Sequence, residues 1–342
     1  MSCSGDRSRT VVAGPYFDDL SVGQSFDAAP AITLTSGHAA LHQAILGHRL
    51  RLALDAPLCQ LVTGDPRLLA HPGLVCDIAI GQSTEATGRV LANLFYRDLT
   101  LRRAPVIGDT LSTSTRVSAL KRNRSPSNGI ATGLAVLQIR TIDQDEREIL
   151  NFRRCAMLPV RPGAHAQPHA DPIDGQTAPV PTSSLAQLAD GWNLEAFRTR
   201  CGGEHLPDLQ PGRQYEVGSG EVVSAAPELV RLTLNLAAVH VDQRATPSGR
   251  RLVYGGHTIG VAAAHLTRAL PNLVYVLAWL NCDHLAPVLE GDTLRTVISV
   301  EAVETLHGGG GLVTLRLEVS AERQDRPDTV PVLDWRLIGL MA

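Results

Sequence analysis

The chain has 342 residues, enough for about two domains. Hydrophobic residues at 44% and charged residues at 19% describe a globular protein with sizeable cores and exclude a disordered one. A balance of 31 Lys+Arg against 34 Asp+Glu, with 4% aromatics, gives no electrostatic or stacking reason to bind nucleic acid or an anionic membrane.

In chain order, Met1 to Arg9 is polar and Ser-rich, without the apolar core of a signal peptide. Residues 36–47 (SGHAALHQAILG) carry helical periodicity behind Ser36 as N-cap. A second helix, rich in Gly, Ala, Ile and Val, is expected over 77–91. Strands with two-residue alternation follow over 111–120, 133–140 and 150–157. Residues 161–184 (RPGAHAQPHADPIDGQTAPVPTSS) have the composition of a linker. Beyond it the same order returns: a helix over 227–239 with Pro227 at its first position, another over 258–270, then strands over 294–303, 311–319 and 333–341. No apolar run approaches the roughly 20 residues of a membrane helix.

The two halves are copies. Asp18-Asp19-Leu20 with Gly23 matches Pro207-Asp208-Leu209 with Gly212. Ala-Pro-Val followed by Gly-Asp-Thr-Leu occurs at 104–111 and again at 286–294. Leu150-Asn151-Phe152-Arg153 matches Leu333-Asp334-Trp335-Arg336. The organisation expected is a repeat over 1–160, a linker over 161–190 and a second repeat over 191–342. Helices precede the strands instead of alternating with them, which predicts an antiparallel, α+β layout. An antiparallel sheet curled around a small-residue helix is the hot-dog arrangement, and two copies make a double hot dog. Six cysteines without a CxxC pair read as reduced thiols of a cytoplasmic protein.

The chemistry concentrates at Asn235 and His240 in the run LTLNLAAVHVD. Five residues apart on a continuous helix, they point about 140° away from a shared face. They converge only where the helix ends between them. An imidazole beside a carboxamide can hold one water; the histidine exchanges a proton near neutral pH, while the asparagine can only orient.

At these residues the chain resembles the MaoC-like (R)-specific enoyl-CoA hydratases, which carry an Asp-x4-His pair at the end of this helix. It is more similar to the mesaconyl-CoA hydratase (β-methylmalyl-CoA dehydratase) branch, through Asn235-x4-His240, Gly249-Arg250-Arg251-Leu252-Val253-Tyr254-Gly255-Gly256-His257, and Val332-Leu333-Asp334-Trp335. The resemblance covers nearly the whole chain. It implies a hydro-lyase acting on an α,β-unsaturated acyl-CoA, with His240 handling the water proton and Asn235 holding the water. It also implies backbone N–H groups at Gly255, Gly256 and His257 as donors to the thioester oxygen. Tyr254, Arg250 and Arg251 are candidates for substrate contact. Neither metal nor organic cofactor is implied, since coenzyme A belongs to the substrate. A homodimer is compatible with the family pattern. In the first repeat, His48 and Ala53 occupy the places of the catalytic pair, so that repeat is expected to shape the site without carrying chemistry.

Rival readings are a generic (R)-specific enoyl-CoA hydratase, a hot-dog acyl-CoA thioesterase and a non-catalytic acyl-CoA-binding protein, because a fold does not fix a function. Asp283, His284 and Asp292 fit either the site or strand-end turns. His38-x3-His42 has one-face helical spacing but lacks the intervening Glu of a zinc protease. The run His307-Gly308-Gly309-Gly310 reads as a hairpin turn.

Overall fold

The computed structural model describes residues 12–126, 129–164, 169–173, 181–246, 249–306, 309–323 and 326–342. Part of the expected linker and the start of the hairpin at 307–310 lie outside these residues.

Eight long strands form the frame: β1 (Ala92–Leu101), β2 (Thr110–Arg122), β3 (Thr132–Ile142), β4 (Glu148–Pro159), β5 (Leu273–His284), β6 (Thr293–Thr305), β7 (Gly311–Arg323) and β8 (Arg326–Met341). They pair antiparallel in one sheet, in the order β2-β3-β4-β1-β5-β8-β7-β6. This order reads alike from either end, as two copies joined side by side must. The seam is β1 against β5, with Tyr96 opposite Cys282 and Arg97 opposite Asn281. An Arg97–Asp283 ion pair at 2.6 Å spans it. Short strands close the outer edges: Ser25–Phe26 and Ile32–Thr33 on β2, Gln214–Glu216 and Glu221–Val222 on β6.

Alternation makes each strand two-faced. In β2, Leu111, Thr113, Thr115 and Val117 are buried, while Ser114, Arg116 and Ser118 are exposed. The sheet curls over four helices: α1 (Ser36–Leu46), α2 (Pro72–Gln82), α3 (Ala226–Leu232) and α4 (Gly255–Ala269). Helices α2 and α4 are buried on almost every face, which explains their small, apolar composition. Cys59, Cys76, Cys201 and Cys282 are free and buried, and Cys155 is buried. Among the described residues no helix is long and apolar enough to cross a membrane.

The duplication extends to irregular features. A β-bulge interrupts β2 between Val117 and Ala119, and another interrupts β6 between Val300 and Ala302. Asp19 accepts the Tyr16 N–H and Asp208 accepts the His205 N–H, both at 2.9 Å. The repeated Gly-Asp turn has a mechanism. Gly108 (φ 110°) and Gly291 (φ 92°) take the left-handed conformation that a side chain would oppose. Asp109 and Asp292 then accept the N–H three residues back, from Val106 at 3.0 Å and Leu289 at 2.9 Å.

Helix ends depart from the periodicity. Thr35, not Ser36, caps α1, accepting the His38 N–H at 3.2 Å. Helix α2 starts at Pro72 and gives way at Ser83 to a 3₁₀ turn (Ser83–Thr87). The Ser83 and Thr84 hydroxyls bond back to the Ile80 and Gly81 carbonyls there. Helix α3 stops at Leu232, seven residues before the expected end at 239. Thr233 bonds its hydroxyl to the Leu229 carbonyl at 2.8 Å, and Leu234 turns left-handed at φ 60°.

Candidate active site

The early end of α3 creates the site. After Leu234, the Asn235 Oδ1 accepts the Ala237 N–H at 2.9 Å, and a 3₁₀ turn (Ala238–His240) follows. The turn brings His240 round to the cavity that Asn235 lines, which a continuous helix would not allow. With Oδ1 occupied, Asn235 Nδ2 is the group's free donor.

His240 is held by the segment ahead of α4. The Leu252 N–H bonds to the Val239 carbonyl at 3.2 Å, and His240 Nδ1 lies 3.0 Å from the Leu252 carbonyl. A carbonyl can only accept, so Nδ1 carries the proton and Nε2 keeps its lone pair. Burial pushes the His240 pKa down to about 4, partly opposed by the Leu252 contact. At neutral pH the ring is therefore neutral and able to take a proton.

The cavity has a volume of about 350 Å³ and both repeats build it. Asn235, His240, Tyr254, Gly255, Thr258 and His284 come from the second repeat. Ile80, Thr84, Tyr96, Arg154 and Met157 come from the first. Among the lining residues Leu285 is 55% exposed, whereas Tyr96 and Arg154 are buried at 1% and 2%.

The remaining sequence candidates separate. Tyr254 lines the cavity, but its hydroxyl turns away to Asp77 Oδ1 at 3.1 Å. Gly255 lines the cavity at the first turn of α4, where N–H groups have no intrahelical acceptor. Gly256 and His257 do not line it. A Cβ on Gly256 would lie 2.1 Å from Asp77 Oδ1 and 2.4 Å from the Tyr254 ring, so this glycine permits contact between the repeats. His257 is 1% exposed, and burial with the neighbouring His42 pushes its pKa down to about 4. Arg250 and Arg251 also lie outside the cavity lining. Arg251 pairs with Glu290, and Arg250 Nη2 lies 3.6 Å from Asp292.

His284 is the ambiguous residue that the structure places in the cavity. Its Nε2 is buried without a partner, and burial pushes its pKa down to about 4. A Cβ on Gly255 would sit 2.6 Å from this nitrogen, so Gly255 makes room for the imidazole. Asp283 serves the seam with Arg97 and Asp292 serves its turn.

The corresponding place in the first repeat is filled. The 3₁₀ turn Arg51–Ala53 matches Ala238–His240 and ends on a side chain that cannot titrate. His48 stacks on His71 with ring centroids 3.8 Å apart, and burial with the neighbouring His42 holds His48 at about pKa 3. One ring nitrogen each of His42, His48 and His71 lies within 4.8 Å of the others. His42 Nε2 is 3.2 Å from Asp77. His38 does not join them; its ring nitrogen meets the Thr35 hydroxyl at 2.8 Å.

Comparison with known proteins follows the same lines. A conserved hypothetical protein of Mycobacterium tuberculosis, described as having a double hot-dog fold, is 51% identical, with 96% of this chain and 99% of that one covered and a TM-score of 0.88. A structure from Chloroflexus aurantiacus described as a MaoC domain protein dehydratase is 25% identical, covering 98% and 99%, with a TM-score of 0.84. The β-methylmalyl-CoA dehydratase of Chloroflexus aurantiacus is 28% identical over 322 residues, 92% of this chain and 89% of its own. The mesaconyl-CoA hydratase of Cereibacter sphaeroides is 28% identical over 311 residues, 89% of each chain. No protein-family model matches the chain.

Proposed function

Because the chain belongs to the MaoC-like dehydratase family in its double hot-dog form, we propose that it adds water reversibly across the α,β double bond of an acyl-CoA thioester. The substrate pair proposed is mesaconyl-CoA and β-methylmalyl-CoA, following the names of two relatives. The observation that carries the reading is His240, with its pKa pushed down to about 4, Nδ1 held on Leu252 and the ring lining a cavity shared with Asn235, which supports Nε2 as the base.

The chemistry follows from these positions. Water binds between Asn235 Nδ2 and His240 Nε2. As its oxygen bonds to the β-carbon, its proton passes to Nε2 and the π electrons move toward the thioester carbonyl. The enolate oxygen that develops needs a donor already in place, and the first N–H of α4, at Gly255, is such a donor. The imidazolium then returns the proton to the α-carbon, leaving a 3-hydroxyacyl thioester and a neutral histidine. Asn235 does not titrate, so one histidine performs both transfers. The scheme requires no metal or organic cofactor. At about 350 Å³ the cavity suits an acyl group and the thioester end of its carrier.

The test is loss of enoyl-thioester absorbance with mesaconyl-CoA and crotonyl-CoA, with thiol release followed in parallel and His240→Ala as control. Absorbance loss that disappears in the variant supports the assignment. Thiol release in its place identifies a thioesterase, and binding without turnover of either ester identifies a non-catalytic acyl-CoA-binding protein.

A further inference from the structure

We propose that Arg154 is the anchor for a carboxylate at the far end of the acyl group, making this site selective for short dicarboxylic acyl thioesters. The inference rests on the hydratase reading above and adds to it the residue and the charge that select the substrate.

Arg154 lies on β4 opposite Tyr96 of β1, both facing inward. It lines the same cavity as Asn235 and His240, yet is 2% exposed. Its Nη2 donates to the Thr87 hydroxyl at 2.7 Å and to the Ser83 carbonyl at 3.1 Å. Its Nε is buried without a partner. Among the described residues no carboxylate lies within ion-pair distance of it, although its neighbour Arg153 pairs with Asp98 at 2.5 Å. A guanidinium does not lose its proton in a protein, so a full positive charge is buried here uncompensated. Such charges are normally paired, because desolvation is otherwise unopposed. An uncompensated cation lining a cavity, held by two neutral oxygens, matches an anionic ligand group. Guanidinium and carboxylate suit each other in geometry as well as charge.

Position separates the two possible anions. The phosphates of a CoA ester lie on the nucleotide, beyond the pantetheine and so outside a cavity of about 350 Å³. Arg154 is itself buried, bracketed by Tyr96, Ser83 and Thr87, none more than 1% exposed. The group that reaches it is the acyl terminus. The repeat supports a specific purpose: aligning Arg153 with Arg336 places Arg154 opposite Leu337, which is fully buried among apolar neighbours. The fold accepts leucine at this place, so the arginine is not required to build the sheet.

Binding of a saturated pair that cannot be hydrated tests the subsite by itself. Succinyl-CoA carries the carboxylate; butyryl-CoA has a methyl group in its place. Calorimetry on the wild-type protein is expected to favour succinyl-CoA, and Arg154→Met is expected to remove that preference while Arg154→Lys keeps part of it. Turnover gives the same contrast between mesaconyl-CoA and 2-methylcrotonyl-CoA, which differ only by carboxylate against methyl. Arg154→Met should lower kcat/KM for the first on the order of 100-fold more than for the second. Equal wild-type affinity for succinyl-CoA and butyryl-CoA overturns the proposal, and needs no variant to fold. Equal losses for both esters in Arg154→Met also overturn it, by assigning the arginine to the CoA phosphates or to structure. If the wild type hydrates neither enoyl ester but still prefers succinyl-CoA, the hydratase reading fails and the subsite stands.

Discussion

The Tyr254 hydroxyl of the second repeat donates to Asp77 of the first at 3.1 Å, and the other oxygen of that carboxylate meets His42 Nε2 at 3.2 Å. One carboxylate thus ties the residue before α4, on the cavity wall, to the histidine cluster of the first repeat. Tyr254→Phe leaves a buried oxygen without its donor, at a cost of about 1–3 kcal/mol. The hydroxyl points away from the cavity, so the expected outcome is a lower urea midpoint with kcat reduced less than about tenfold. A loss of kcat comparable to His240→Ala would instead make the phenol part of the chemistry.

His240 must be neutral to accept the proton from water. Its pKa is pushed down to about 4 by burial, so kcat/KM for hydration is expected to be flat through neutral pH and to fall only as pH approaches 4. His240→Ala is expected to lower kcat by about 10²–10⁴. Circular dichroism should show an unchanged fold. Asn235→Ala should reduce kcat less, because a lost orienting donor leaves the base intact. A pH–rate profile with its acid limb near the ordinary histidine range would show that burial does not hold this ring neutral, and His240→Ala then decides whether it is the base.

Much of this was legible in the residues, for identifiable reasons. The double hot dog follows from repeated local devices, such as the Gly-Asp turns at Gly108 and Gly291, which need the same residue types wherever they occur. The convergence of Asn235 and His240 follows only in part: their spacing requires the helix to stop, but it stops at Leu232, ahead of both residues and not between them. What the pattern hides is non-local. Nothing near Gly256 in the sequence announces that Asp77, from the other repeat, lies against it. Arg250 and Arg251 stand next to the motif yet are engaged with Glu290 and Asp292. Arg154 is distant in sequence, and only the comparison with Leu337 in the second copy marks it as out of place. Helix ends were obscured because Thr233 and Ser83 satisfy the backbone from within an otherwise periodic run.

Several buried imidazoles tie stability to acid. His48 is held at about pKa 3 and His257 at about 4, chiefly by burial, against an ordinary 6.5. Below 6.5 the unfolded chain binds these protons and the folded one does not, so the unfolded state gains stability as pH falls. The contribution is fully present above 6.5 and is lost as pH falls towards 4 for His257 and towards 3 for His48. By pH 5 the loss is on the order of 2 kcal/mol for each histidine. Urea denaturation at pH 7 and pH 5 should show a marked drop, smaller in His257→Leu. Equal stability at the two pH values would contradict the neutral, buried state of these rings.

The two adjacent glycines at the start of α4 should fail in different ways. A Cβ at Gly256 would meet Asp77 Oδ1 at 2.1 Å and the Tyr254 ring at 2.4 Å, in the packed contact between repeats. Gly256→Ala is therefore expected to destabilise by about 1–3 kcal/mol or more, since a buried contact must open. A Cβ at Gly255 would meet His284 Nε2 at 2.6 Å, in a ring that borders open cavity and can move. Gly255→Ala should cost little stability but displace His284 and narrow the approach of the thioester to the α4 N-terminus. Its expected signature is a fall in kcat/KM with a melting temperature near wild type. Thermal melts and steady-state kinetics on the two variants separate these outcomes, and similar losses of both properties in each variant would refute the division of labour.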